Sequence, residues 1–149
     1  EQLIESLEPI QEKYKILTQY IKDISSETRD VETYLFVKDN ISKYHLSIDI
    51  NSKPLKNRLI EINTTLKFED KGENEKKSYF EIIYATIINV NSELNEKNDL
   101  QKIILCDVQV LIYPKIEKAL LDLIHNSGFP EVRFEKKIDF EKLYNEKFN

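Results

Sequence analysis

Tyr44-His45-Leu46-Ser47-Ile48-Asp49-Ile50 is the stretch on which the fold of this chain turns. Tyr44, Leu46, Ile48 and Ile50 recur at every second position, with His45, Ser47 and Asp49 between them. Successive side chains of an extended backbone point to opposite faces, so the pattern specifies a strand with one buried and one wet face. A helix would scatter the same four apolar groups around its axis.

Three further segments alternate in the same way. Residues 14–24 place Tyr14, Ile16, Thr18 and Tyr20 on one side. Residues 59–68 place Ile60, Ile62, Leu66 and Phe68 on one face and Glu61, Asn63 and Lys67 on the other. The charged stretch 69–77, with Gly72 in it, reads as a hairpin loop that pairs the third strand antiparallel with the fourth. In that fourth strand, 79–90, both faces are apolar: Phe80, Ile82, Tyr84, Ile88 and Val90 on one, Tyr79, Ile83, Ala85 and Ile87 on the other. Its second face is covered either by helices of the same chain or by another subunit or a client.

After a charged loop at 91–99 the period lengthens. Val108, Leu111, Ile112, Ile116, Ala119, Leu120, Leu123 and Ile124 follow the spacing of an amphipathic helix, which predicts a helix over 109–126. Pro114 then falls near its start, where a missing N–H does least harm, and Gly128 ends it as a left-handed cap. A short second helix starts at Asp139 and turns Phe140, Leu143, Tyr144 and Phe148 toward the body of the protein. The expected architecture is one α+β domain over 1–149: a four-stranded antiparallel sheet, a long amphipathic helix and a short C-terminal helix.

Composition narrows the function. The chain has 149 residues, 40% hydrophobic and 33% charged, with a net charge of -5. Its 22 basic residues are scattered among 27 acidic ones, so no basic stripe awaits nucleic acid or an anionic membrane. Residues 1–9 lack a basic, then apolar, signal pattern, and the longest purely apolar runs, such as 103–106 and 110–113, are only four residues, far short of the ~20 residues of a membrane helix. A single cysteine, Cys106, excludes an internal disulfide and fits a reducing compartment. The expected location is the cytoplasm.

Little in the chain can do chemistry. His45, His125 and Cys106 are dispersed and without local partners, too few for a structural zinc site. Two widely separated glycines, Gly72 and Gly128, allow neither a dinucleotide fingerprint nor a phosphate loop. No catalytic residue, metal or cofactor is expected, and the chain reads as a binding protein that offers apolar surface and an acidic patch to other proteins. A small enzyme with an unrecognised carboxylate pair is the alternative from another class.

Three blocks in order resemble the SecB family of protein-export chaperones: Tyr20-Ile21-Lys22-Asp23-Ile24-Ser25 with Glu27, then Tyr113-Pro114, then Gly128-Phe129-Pro130 followed by Ile138-Asp139-Phe140-Glu141-Lys142-Leu143-Tyr144. The chain departs from the family at Ala85-Thr86, where a glycine pair is usual, at Asp107 after Cys106, at Glu117 and at Glu131. The resemblance implies an ATP-independent holdase that binds unfolded secretory precursors in the cytosol, assembles as a dimer of dimers and delivers its cargo to the SecA motor. By position it implies a SecA-binding surface at Asp23, Glu27, Tyr79 and Glu81. Carboxylates there would meet a basic, zinc-bearing tail of SecA. It implies a client-binding groove at Phe36, Tyr44, Leu46 and Ile48, with Tyr113 and Phe129 behind them. SecB-like proteins also serve as dedicated chaperones of antitoxins, which leaves a second reading within the same class.

Overall fold

The computed structural model describes residues 13–94 and 96–148. In chain order these form β1 (Tyr14–Glu27), α1 (Val31–Asp39), β2 (His45–Pro54), β3 (Leu59–Glu69), β4 (Tyr79–Val90), α2 (Lys97–Lys102), a π-helical turn (Ile103–Asp107), α3 (Val108–Asn126) and α4 (Phe140–Phe148). The strands make one antiparallel sheet in the order β1-β4-β3-β2. The four-stranded sheet, the long helix and the short C-terminal helix are as expected, and β4 occupies the bounds that its sequence pattern indicates.

The β3–β4 register opposes Phe68 to Phe80, Leu66 to Ile82, Thr64 to Tyr84 and Ile62 to Thr86. Opposed residues share a face. These eight are buried and define the inner face, against which the helices pack through Val108, Ile112, Ile116, Leu120 and Ile124. Each such aliphatic side chain contributes about 1.5–3 kcal/mol by leaving water. On the outer face of β4, Ile83 and Ile87 are half-buried and Tyr79 is 56% exposed. Helices of this chain therefore cover one apolar face of β4 and leave the other open.

β1 corrects the simple alternation. Ile16 opposes Ile88 but Thr18 opposes Ile87, and Ile21 opposes Tyr84 but Asp23 opposes Ile83, so Leu17 and Lys22 are extra residues. Each is a bulge that exchanges the faces of the residues beyond it. Tyr14 and Ile16 point inward as expected, whereas Thr18 and Tyr20, opposite Ile87 and Ala85, point outward. Gln19 takes the inner position and accepts a hydrogen bond from the Tyr84 hydroxyl at 3.1 Å.

The helical region also starts earlier than the sequence pattern suggests. Helix begins at Lys97, inside the stretch read as loop, and continues through the π turn into α3. Pro114 thus lies in a helix interior, where it leaves the Val110 carbonyl without its donor. The π turn is closed by Gln109, which is fully buried: its amide donates to the Ile104 carbonyl at 3.2 Å, and its side-chain carbonyl accepts from Thr64 Oγ1 at 3.1 Å. At the other end the Gly128 N–H reaches the His125 carbonyl and the Phe129 N–H reaches the Ile124 carbonyl, a Schellman cap with Gly128 at φ 106°. Gly128 is the left-handed cap that the sequence indicates.

α1 has no counterpart in the sequence reading. Asp30 caps it by accepting from the Thr33 N–H at 2.8 Å, and this bond holds the Asp30 carboxyl below its usual range. Tyr34 ties α1 to the end of α3, donating to the Gly128 carbonyl at 2.7 Å. α4 starts as expected, with Asp139 accepting from the Lys142 N–H at 3.1 Å. Phe140 is buried and Tyr144 half-buried, but Leu143 is exposed, contrary to its expected inward position. The Phe148 side chain lies outside the described residues, as do residues 1–12 of the expected domain.

Candidate functional site

Two surfaces gather the residues singled out in the sequence. The first is on the outer face of the sheet, where Glu27 opposes Tyr79, Ser25 opposes Glu81 and Asp23 opposes Ile83. The second bulge, at Lys22, is what turns Asp23, Ser25 and Glu27 outward together. Asp23, Glu27, Tyr79 and Glu81 therefore form one contiguous patch, three carboxylates around an exposed phenol. Lys67 is its cationic neighbour, with Nζ 3.4 Å from Glu81 Oε2. Farther along the same face Lys22 donates to Glu61 Oε2 at 2.7 Å, which holds the Glu61 carboxyl below its ordinary value.

The second surface is an open groove of about 980 Å³ along β2, walled by residues 131–139 and by α4. Leu46 and Ile48 project from the inner face of β2 and stay half-buried, as strand-edge apolar groups do where no helix covers them. Tyr44 lies against the groove floor, its ring 5.4 Å from Phe68. Its hydroxyl accepts from the buried Ser78 N–H at 3.0 Å, and burial pushes the phenol above its ordinary pKa.

Tyr44, Leu46 and Ile48 are thus brought together. Phe36, Tyr113 and Phe129 are not part of that groove. Phe36 is half-buried on α1. Phe129 packs edge-on to Phe80 at 5.7 Å, and Tyr113 edge-on to Phe140 at 5.3 Å. Burial, with Glu117 beside it, drives the Tyr113 phenol far above its usual range. The sequence reading passed over Phe68 as a groove residue and missed Val132, Phe134 and Leu143, which complete the apolar lining. The two-residue spacing of Val132 and Phe134 was the one signal that pointed to them.

Among the described residues no group of three or more His, Cys, Asp and Glu is placed to hold a metal ion. His45 is exposed on the outer face of β2, and His125 is engaged through Nε2 with the Val132 carbonyl at 2.8 Å. Burial raises the Cys106 thiol above its ordinary pKa, which keeps it protonated. No helix among the described residues is long and apolar enough to cross a membrane.

A half-open sheet backed by one long helix, with an apolar groove on one face and a carboxylate patch on the other, defines a protein-binding module of the SecB-like fold. The chain belongs to the SecB family, described as preprotein translocase subunit SecB, whose pattern matches residues 8–149. A Pelagibacter ubique (strain HTCC1062) protein that carries the SecB name is 53% identical over 138 residues, covering 93% of this chain and 99% of that one. The protein-export protein SecB of Mesorhizobium japonicum is 23% identical over 137 residues, covering 92% of this chain and 80% of that one. Among solved structures, a SecB-like chaperone of Mycobacterium tuberculosis in complex with a ChAD peptide from the HigA1 antitoxin superposes with a TM-score of 0.59. It covers 84% of this chain and 91% of that chain at 11% identity, a likeness of fold.

Proposed function

We propose that this protein is an ATP-independent holdase of the cytosol that binds unfolded secretory precursors and delivers them to the SecA motor. The observation that carries this reading is the open apolar groove along β2 in a chain of the SecB family. A strand-edge groove with dispersed apolar contacts takes up extended segments by exposed hydrophobicity more than by sequence. The patch of Asp23, Glu27, Tyr79 and Glu81 lies on the opposite face of the sheet, so a SecA tail and a client would not compete for it. Carboxylates in that position favour fast, salt-sensitive encounter with a basic module.

Assembly as a dimer of dimers fits the same picture. Val110 and Leu111 on the outer side of α3 are 55% and 60% exposed, and Tyr20 and Ile21 on β1 are half in water. Apolar groups so placed are covered when copies of the chain associate. A dedicated antitoxin chaperone is the second reading, favoured by the peptide bound to the Mycobacterium tuberculosis structural relative.

The test is native mass spectrometry of the full chain together with capture of a panel of unfolded precursors and of purified SecA. A tetramer that captures many precursors, and loses SecA but not precursors on combined Asp23→Lys and Glu81→Lys substitution, supports export. Capture of one antitoxin alone supports the second reading. A strictly monomeric mass counts against the assembly.

A further inference from the structure

Between α3 and α4 residues 131–139 run with no helix or strand. Val132 is buried and Phe134 and Ile138 are half-buried, whereas Arg133, Glu135, Lys136 and Lys137 are exposed. The spacing of Val132 and Phe134 is that of an extended chain laying alternate side chains on an apolar surface. The Phe134 ring sits 5.5 Å from the Phe68 ring, tilted by 58°, and Phe68 in turn contacts Tyr44 on the groove floor.

The backbone of this strap is held only at its start. The Val132 N–H donates to the Phe129 carbonyl at 3.3 Å, and the Val132 carbonyl meets His125 Nε2 at 2.8 Å. From Arg133 to Ile138, among the described residues, no hydrogen bond ties the strap to sheet or helix. Phe134 therefore stays in the groove by side-chain burial alone, and its flanking charges are already solvated. Such a segment opens locally at small free-energy cost.

We propose that the strap is a built-in stand-in for a client: Phe134 occupies the Phe68 subsite until an extended segment with apolar residues at alternate positions displaces it. This rests on the groove reading given above and specifies its partner: a chain in strand-like conformation, with apolar groups two residues apart. A self-occupied site lowers apparent affinity by the fraction of time it stands open. A strap seated about nine-tenths of the time weakens client binding about tenfold.

The experiment uses the full chain and two probes, reduced and carboxymethylated α-lactalbumin and a synthetic peptide of residues 129–139. Phe134→Ser should bind the unfolded probe about tenfold more tightly than the wild type, and the peptide should compete with that probe. The chain has no tryptophan. Phe134→Trp should therefore give a single emission band that shifts to the red as saturating probe expels the indole into water. Unchanged or weaker binding by a folded Phe134→Ser protein overturns the inference and makes Phe134 a fixed part of the client surface. If that variant does not fold, an emission band unmoved by saturating probe overturns it equally. Should the wild type and Phe134→Ser both bind neither probe, the groove reading falls and the strap inference with it; should the wild type bind, only the strap is at stake.

Discussion

Thr64 in the middle of β3 and Gln109 at the start of α3 are joined by a hydrogen bond of 3.1 Å in a seam where both side chains are fully buried. The Gln109 amide then closes the π turn through Ile104. This polar pair fixes which turn of the helix lies over which residue of the sheet, because apolar contacts alone tolerate sliding. Thr64→Val leaves the Gln109 carbonyl buried without a donor and should cost about 1–3 kcal/mol. Gln109→Leu should cost a similar amount, and the double variant less than the sum. A double-mutant cycle from denaturant titrations measures the coupling.

Gly128→Ala should destabilise by about 1–3 kcal/mol, since a non-glycine residue held at positive φ is strained. An added Cβ at Gly128 would also stand 2.7 Å from Tyr34 Cε1, pushing α1 off the end of α3. Tyr34→Phe removes only the hydrogen bond to the Gly128 carbonyl and should cost about 0.5–1.5 kcal/mol. Thermal unfolding of the two variants separates strain from hydrogen bonding.

Alkaline pH should loosen the core through its phenols. Burial raises Tyr44 and Tyr113 above the usual tyrosine value, so the folded protein retains protons that the unfolded chain releases near pH 10. Their contribution is fully present below that pH and is lost above it. The unfolding free energy should fall by up to about 1.4 kcal/mol per pH unit for each phenol still protonated in the folded state. Tyr113→Phe should make that fall shallower, as urea titrations on both sides of the tyrosine range will show.

At the carboxylate patch, Lys67 partly neutralises Glu81 from within the sheet. A basic partner must compete with it. Exposed pairs of this kind contribute about 0–1 kcal/mol, so under the proposed docking of SecA on this patch Lys67→Gln should tighten SecA binding by no more than about fivefold, and added salt should shrink the gain. Surface-binding measurements at two salt concentrations test both signs.

Much of the fold was legible because one physical signal dominates each legible element. β4 is apolar on both faces and flanked by charge, so nothing competes with its reading as a strand. Gly128 and Asp139 mark helix ends by backbone chemistry that tolerates few substitutes. What escaped has an equally specific cause. α1 is short, with Val31 and Leu35 exposed, so it shows no clear apolar stripe; only its cap at Asp30 betrays it. Lys97 to Lys102 is too polar to announce a helix, and the π turn then shifts the phase of the apolar residues around it. In the groove, Leu46 and Ile48 were legible because they belong to a clean strand. Phe134 was not, since its place against Phe68 is made by tertiary contact.

The paired bulges of β1 are two half-period slips that cancel. Upstream of Leu17 and downstream of Lys22 the even-numbered residues face the helices, and only between the slips do the odd-numbered ones. Loss of Leu17 and Lys22 together would shorten the strand yet leave both ends in phase. Loss of Lys22 alone would do the same, because Ile21 and Asp23 already stand opposite the consecutive residues Tyr84 and Ile83. Deletions in β1 are thus tolerable one at a time where the strand already carries an unpaired residue, at Leu17 or Lys22, and there they leave its carboxylates on the same side of the sheet.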